Sequence, residues 1–185
     1  MHILVLTTSP NIDGLTAACT SAALAGIRQA GGSADEARLN DLRIAMCEAC
    51  GEGWGTCQRE HSCQALDDFQ ALHARAVQAD GLVLISPVYW GEMSESAKAF
   101  TDRLRRCEAT SGKDSRLAGK PVLAVAAAGG SGNGAITCLA SMERWIQHVQ
   151  ARPFDLIPVN RWSREYKLEA IHAAAGKMVS PAAWE

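Results

Sequence analysis

The chain has 185 residues, of which 48% are hydrophobic and 21% are charged, and its formal net charge is −2 at pH 7. The length suits one domain over residues 1–185 with a sizeable core, and the near-neutral charge excludes the basic surfaces that bind nucleic acid or anionic membranes. Because no apolar run approaches the ~20 residues that span a bilayer, and residues 1–6 lack the features of a signal peptide, we expect a cytoplasmic protein without membrane partners.

Strand and helix patterns alternate along the whole chain. Hydrophobic periodicity and helix-stop residues predict the elements in chain order. They are strand 2–7, helix 16–29, strand 35–39, helix 66–78, strand 82–86, helix 94–107, strand 121–127, helix 135–149, strand 153–159 and helix 163–178. Five consecutive β-α units indicate an α/β fold with a parallel sheet covered on both faces.

One segment, at about residues 42–64, has neither helical nor strand periodicity. A structureless stretch of ~20 residues inside a compact domain is uncommon and usually functional. It contains four of the seven cysteines. We therefore describe it as a cysteine-rich loop insertion.

The loop after the first strand has the residues that a phosphate site needs. Ser9, Asn11, Gly14, Leu15 and Thr16 precede or begin the first predicted helix. Hydroxyl groups, a glycine and free amides at a helix amino terminus bind anions, and the helix dipole favours negative charge. The alternative is an ordinary turn in which Thr16 caps the helix.

Two further loops follow neighbouring strands of the predicted sheet. The first offers a flat aromatic surface and free amides, from Pro87, Val88, Tyr89, Trp90 and Gly91; the second has four glycines in six residues, beginning at Gly129, Gly130 and Ser131. The alternatives are core or interface aromatics for the first and a merely flexible connection for the second. All three loops meet at the carboxyl end of the sheet, where α/β proteins bind ligands.

These segments resemble the flavodoxin-like NAD(P)H-dependent FMN reductase family. Residues 9–16, S-P-N-I-D-G-L-T, are similar to its S-P-R-x-x-G-N-T loop, and residues 79–104 are similar to its A-D-x-x-x-x-x-x-P-x-Y-x-G-x-x-S-x-x-x-K-x-F-x-D-R segment. The resemblance implies a three-layer α/β/α sandwich with a five-stranded parallel sheet in the order 2-1-3-4-5. It also implies non-covalently bound FMN.

The same resemblance implies a role for each loop. Ser9, Asn11, Gly14 and Thr16 would hold the FMN phosphate, Pro87 to Gly91 would line the isoalloxazine ring, and Gly129 to Ser131 would meet its pyrimidine side. Asn11 and Leu15 depart from the arginine and asparagine that are usual in the family.

The cysteines of the insertion follow the spacing C-x2-C-x6-C-x5-C, at Cys47, Cys50, Cys57 and Cys63. Four thiols so close in sequence can converge on zinc or on an iron–sulfur cluster. The run, with the following Asp67-Asp68, resembles that of the iron–sulfur flavoproteins of the same superfamily. Three interpretations stay open: a 4Fe–4S cluster, a zinc ion with His61 replacing one cysteine, or free or redox-active thiols beside the flavin.

The resulting functional hypothesis is an FMN-dependent oxidoreductase that takes hydride from NAD(P)H and passes electrons to a quinone, a flavin or another small acceptor. One alternative is an iron–sulfur flavoprotein that carries electrons between flavin and cluster. Another is a non-enzymatic binding module that has lost flavin and in which zinc holds the cysteine-rich loop together. The family resemblance also implies a homodimer or homotetramer.

Overall fold

A parallel sheet forms the centre of the computed structural model, which describes residues 1–109 and 115–180. Within these residues five strands run parallel in the order β2-β1-β3-β5-β6, and a two-residue strand, β4, pairs antiparallel with the end of β3. The strands are β1 His2–Thr7, β2 Ser33–Arg38, β3 Gly81–Tyr89, β4 Glu92–Met93, β5 Pro121–Ala128 and β6 Arg152–Asn160.

Helices cover both faces of the sheet. They are α1 Leu15–Gln29, α2 Cys57–Glu60, α3 Phe69–Gln78, α4 Glu95–Glu108, α5 Ala135–His148 and α6 Arg164–Met178, with a short 3-10 turn at Leu39–Asp41. Alternate residues of a strand face opposite sides, so one strand supplies two cores. Leu4 and Leu6 lie in the core under α3, α4 and α5, whereas Ile3 and Val5 lie in the core under α1 and α6.

The predicted architecture and strand order are confirmed, because β4 is a short addition to the predicted order 2-1-3-4-5. Several predicted boundaries and one predicted loop are wrong. Helix α3 starts at Phe69, and Leu66 is fully exposed. Leu39 belongs to the 3-10 turn instead of β2. The cysteine-rich segment contains α2, a helix of 4 residues. A helix of about one turn is too short to appear in the hydrophobic periodicity of the sequence.

The strand register brings the carboxyl ends of four strands to one edge of the sheet. Thr7 lies beside Ile85, Pro87 beside Ala127, and Ala128 beside Asn160. The loops that follow these strands therefore lie side by side. No helix in the described parts of the chain is long and apolar enough to cross a membrane.

Helices α1 and α6 make the closest helix contact of this core at Gly26. A Cβ at Gly26 would lie 2.1 Å from the carbonyl oxygen of His172. Nothing but a hydrogen fits between the two backbones at this point.

We expect Gly26→Ala to destabilise the protein by about 1–3 kcal/mol, the usual cost of overpacking. Helix propensity alone predicts the opposite sign, because alanine is favoured over glycine by about 1 kcal/mol. Denaturant unfolding measures the difference, with Ala25→Ser on the exposed side of α1 as the control. A gain in stability for Gly26→Ala would contradict the close approach.

Candidate functional site

The loop between β1 and α1 is anchored by hydroxyl groups and leaves the start of α1 uncapped. The Thr8 amide donates to the Ile85 carbonyl at 3.1 Å, and Ser94 Oγ donates to the Thr8 carbonyl at 2.8 Å. The cap residue of α1 is Gly14, without a side-chain hydrogen bond. Thr16 is buried within the first turn, so the alternative in which Thr16 caps the helix is wrong. An uncapped helix start presents free amides to an anion.

The residues predicted to bind phosphate differ in burial and in contacts around this helix start. Ser9 is buried, and its hydroxyl accepts the amide hydrogen of Asn11 at 3.2 Å, while Asn11 itself is exposed. Leu15 packs against the core under α1 and α6. Gly14 has an ordinary φ of −81°, and a Cβ there would make a normal 3.6 Å contact with Asn11. Neither backbone geometry nor packing requires a glycine at position 14.

The aromatic segment is a strand end and a tight hairpin instead of the predicted loop. Pro87, Val88 and Tyr89 belong to β3, and Val88 and Tyr89 pair with β4. The turn consists of Trp90 and Gly91, whose φ values are 52° and 81°. Positive φ at both central residues is typical of the tight hairpin turns that suit strand twist. The hairpin therefore presents a fully exposed Trp90 ring on a defined backbone.

The glycine-rich loop packs directly on this hairpin. A Cβ at Gly134 would lie 2.8 Å from Gly91 Cα, and a Cβ at Gly132 would lie 2.5 Å from the Trp162 ring. Packing thus explains these two glycines, which also have φ near 80°. By contrast, no atom lies within 4 Å of a Cβ built on Gly129 or Gly130. Open space therefore lies beside these two glycines, which directly follow β5.

An open groove joins the hairpin and the glycine-rich loop. It is lined by Val88, Trp90, Gly91, Ser131, Asn133, Gly134 and Thr137. The phosphate loop is connected to the hairpin side through Ser94, which follows β4 and caps α4 by accepting the Ala97 amide. Two of the three predicted loops therefore form one groove, and the third is tied to it.

The geometry fits FMN in three respects. Free amides at α1 suit a phosphate, the open space at Gly129 and Gly130 admits a ring edge, and Trp90 offers an aromatic surface. Ser94 was missed as a site residue. The sequence could have revealed it, because serine is a preferred cap residue and Ser94 stands at the start of the helix predicted after Gly91.

All four predicted metal ligands line one cavity beside α4. Cys57 is buried, Cys50 and Cys63 are half-buried, and Cys47 is exposed, and the cavity also contacts Arg103. In residues 1–109 and 115–180, no group of three or more His, Cys, Asp or Glu side chains is gathered tightly enough to hold a metal ion. A tetrahedral zinc needs all its ligands at about 2.3 Å from one point. An iron–sulfur cluster binds each thiolate through a different iron, so its ligands stand farther apart.

A buried arginine, which the sequence interpretation missed, holds this cavity together. Arg103 on α4 is 2% exposed and forms a fork with Asp67, with distances of 2.5 and 2.9 Å. It also donates to the Ala45 carbonyl at 3.1 Å and to Cys63 Sγ at 3.2 Å, and its guanidinium lies 4.3 Å from the Phe69 ring centre. One side chain thereby connects the two ends of the cysteine-rich segment.

The longer spacing between Cys50 and Cys57 is accommodated by a second arginine. The Arg106 guanidinium stacks 3.9 Å from the Trp54 ring centre, and the Gly53 carbonyl accepts a hydrogen bond from it. Trp54 is therefore a loop anchor on α4. This contact holds the inserted residues against the helix beside the cavity.

An ionic network centred on the buried pair His73 and Glu108 lies beneath the segment. His73 Nε2 is 2.6 Å from Glu108 Oε1, and the Arg116 amide donates to Glu108 Oε2 at 2.7 Å. The Arg116 guanidinium also donates to the His61 carbonyl, and the His61 ring lies 3.0 Å from the Cys107 carbonyl. The His61 ring is thus occupied by a backbone partner outside the cysteine cavity.

Comparison with known proteins identifies a family and several relatives. A model of the NADPH-dependent FMN reductase family matches residues 1–156. An iron-sulfur flavoprotein of Methanocaldococcus jannaschii is 30% identical over 105 residues, which cover 57% of this chain and 52% of that protein. The chain spans about half the length of the curated relatives it matches.

Solved structures share the fold. An NAD(P)H:quinone oxidoreductase from Methanothermobacter marburgensis has a TM-score of 0.73 at 20% identity, with 97% of this chain and 96% of that chain covered. A flavodoxin from the domain Archaea has a TM-score of 0.66 at 12% identity, with both chains fully covered. The predicted flavodoxin-like fold is confirmed by these likenesses.

The Glu108 carboxylate makes stability depend on pH. Burial alone would raise its pKa, but hydrogen bonds from His73 and Arg116 outweigh burial and lower the pKa from 4.5 to about 2. A lowered folded-state pKa stabilises the protein above the ordinary pKa, and that stabilisation is lost as the pH falls through the folded-state value. We expect the free energy of unfolding of the parent to exceed that of Glu108→Gln at neutral pH, and the difference to shrink between pH 4.5 and 2.

Denaturant unfolding of both proteins over this pH range measures the effect. Glu169→Gln, on the exposed side of α6, controls for the loss of a surface carboxylate. A parent-to-variant difference that does not change with pH would contradict the buried network.

Proposed function

The chain belongs to the NADPH-dependent FMN reductase family, and we propose that it is an FMN-dependent oxidoreductase that takes hydride from NAD(P)H and passes the electrons to a small acceptor. The observation that carries the proposal is the pair Gly129 and Gly130. Neither packing nor a left-handed φ requires glycine at these positions, yet both directly follow β5, at the edge of the sheet where the other two loops also begin.

In this proposal backbone groups do most of the binding. The amides at the start of α1 would hold the phosphate, and the backbone at Gly129 and Gly130 would meet the ring edge. The Trp90 ring would cover one face of the isoalloxazine ring. FMN supplies the hydride and electron-transfer chemistry when it is bound.

The described side chains of the groove contribute no titratable group. Its polar residues are Ser131, Asn133 and Thr137, all able to donate or accept hydrogen bonds without changing charge. The protein's part at the groove is therefore to position and orient, with no acid or base from these residues. The groove is open to solvent, so the nucleotide and the acceptor would use the same face in turn.

A second candidate function is an iron–sulfur flavoprotein that carries electrons between flavin and a cluster. The observation that favours it is the cavity shared by Cys47, Cys50, Cys57 and Cys63 beside a buried cation. Relatives of this chain are themselves named iron-sulfur flavoproteins. These four thiolates would hold the cluster, which supplies one-electron transfer.

Other parts of the hypothesis stay predictions. We propose a quinone or a flavin as acceptor, a homodimer or homotetramer, and a cytoplasmic location. Exposed apolar side chains near the carboxyl edge of the sheet, which include Ile12, Trp90, Ile136 and Trp162, would suit contact with a second copy. The zinc-clipped binding module also stays an untested alternative.

Anaerobic purification followed by an absorption spectrum, metal analysis and an NAD(P)H oxidation assay tests these proposals together. A flavin spectrum and FMN-dependent NAD(P)H oxidation with a quinone support the oxidoreductase. Additional broad absorption that dithionite bleaches, with iron and sulfide, supports the electron carrier. A colourless protein that holds one zinc and cannot be reconstituted with FMN would contradict both and support the binding module.

The variant Gly130→Val tests the flavin site directly. A side chain fits there in the free protein because no atom lies within 4 Å, but it would occupy the space proposed for the ring edge. We expect unchanged thermal stability of the FMN-free protein and at least about a tenfold loss of FMN affinity, or about 1.4 kcal/mol. Fluorescence titration with FMN measures it, and Ala118→Val, in an exposed turn before β5, is the control. Unchanged FMN affinity contradicts the proposed position.

The cluster ligands are tested by cysteine replacement. We expect Cys50→Ser and Cys63→Ser to lose most iron and acid-labile sulfide while keeping FMN, because a cluster with a missing thiolate is poorly held. The control is Cys138→Ala, since burial in the core raises the pKa of Cys138 to about 12 and leaves it an inert thiol. Equal iron content per FMN in all three variants and the parent would rule out these ligands.

A further inference from the structure

Arg103 has an arrangement that a structural ion pair alone does not explain. Its fork with Asp67 already satisfies the charge of both groups, yet the same guanidinium nitrogen that bonds Asp67 Oδ1 also lies 3.2 Å from Cys63 Sγ. The side chain is 2% exposed, and its Nε has no hydrogen-bond partner among the described residues. Burying a guanidinium with an unpaired donor is costly, and well-packed apolar residues of similar volume often replace such pairs without loss.

We propose that Arg103 is a positioning and tuning residue of the cysteine centre, which donates an N–H to the Cys63 sulfur and raises the reduction potential of the cluster held there. The proposal deepens the second function above and rests on it. Arg103 touches the centre only through the sulfur of Cys63, so it takes no part in bond making or breaking.

The physical reason is the charge of the centre. A 4Fe–4S cluster with four thiolates carries a net negative charge, and one-electron reduction makes that charge more negative without forming or breaking a bond. Because Asp67 offsets the charge of Arg103, the N–H···S hydrogen bond is the contact that stabilises the added electron, and hydrogen bonds to the sulfurs are among the factors that set cluster potentials. The guanidinium cannot lose its charge at any physiological pH.

Asp67 keeps the donor in place. Its carboxylate binds both terminal nitrogens of Arg103 and also accepts the amides of Ala45 and Phe69, at 2.9 and 3.1 Å. Arg103 in turn donates to the Ala45 carbonyl at 3.1 Å. The donor nitrogen is therefore fixed relative to both ends of the segment that supplies the four thiols.

The test is a redox titration of the anaerobically purified holoprotein and of three variants. Arg103→Met removes both charge and donors, and Arg103→Lys keeps the charge but cannot form the fork and reach Cys63 together. Arg105→Met, on the same helix and outside the cysteine cavity, controls for the loss of a helix cation. Iron, sulfide and FMN are counted for each protein before the potentials are compared.

We expect Arg103→Met to keep its FMN and to shift the cluster potential to more negative values by about 59 mV or more, a tenfold change in a one-electron equilibrium. Arg103→Lys should hold the parent's iron and shift in the same direction by less, and Arg105→Met should stay at the parent value. If Arg103→Met does not fold, the comparison of Arg103→Lys with Arg105→Met decides.

Other results overturn the proposal in distinguishable ways. Equal potentials for Arg103→Lys and Arg105→Met at parent iron content, or loss of iron from Arg103→Lys, would leave Arg103 as a structural clamp only and keep the cluster proposal. A parent protein that contains FMN but no iron, even after reconstitution with iron and sulfide, would overturn the cluster and the tuning role together.

Discussion

The parallel direction of the strands is the constraint on which the rest of the structure depends. Parallel strands need a crossover after each strand, so the chain passes through a helix that covers one face before the next parallel strand begins. Alternate residues of β1 are buried in the two cores, Leu4 in one and Ile3 in the other. Residues 8–14, 90–91 and 129–134 of the loops at this edge belong to neither core. They are therefore free to differ in chemistry, and the amides of α1, the Trp90 hairpin and the open glycines lie side by side there.

Helix α4 connects the two candidate centres. Its cap, Ser94, bonds the loop after β1 at the carboxyl edge, and its second half supplies Arg103 and Arg106 to the cysteine cavity. Arg103 lies nine positions after Ser94, or about 13 Å along the helix axis. The helix thus sets the spacing between the proposed flavin groove and the cysteine cavity. This spacing does not depend on the path of the long segment that carries the cysteines.

Strands and long helices were predictable because their apolar periodicity is strong, as in β3 and α4. The hairpin after β3 was not, because it depends on a two-residue pairing of Val88 with Met93 that has no periodicity. Leu66 looked like the start of α3, yet it is exposed, since the turn at Asp67 and Asp68 begins the helix later. Arg103 was missed because arginine is rarely buried, and only the tertiary position of Asp67 reveals why it is. That four cysteines line one cavity was expected from their spacing, but the two arginines that α4 adds to its lining, Arg103 and Arg106, were not.

The contact between Gly91 and Gly134 has a consequence for how this protein can diversify. A Cβ on Gly134 would lie 2.8 Å from Gly91 Cα, and Gly91 has a φ of 81° that disfavours other residues, so the two walls of the groove meet backbone to backbone. Changes in which molecules the groove admits must then arise from side chains on its rim, at Trp90, Ser131, Asn133 and Thr137. Of these four, Ser131 accepts the Asn133 amide and Thr137 donates to the Gly134 carbonyl, so the groove combines a fixed frame with a lining that is only partly exchangeable.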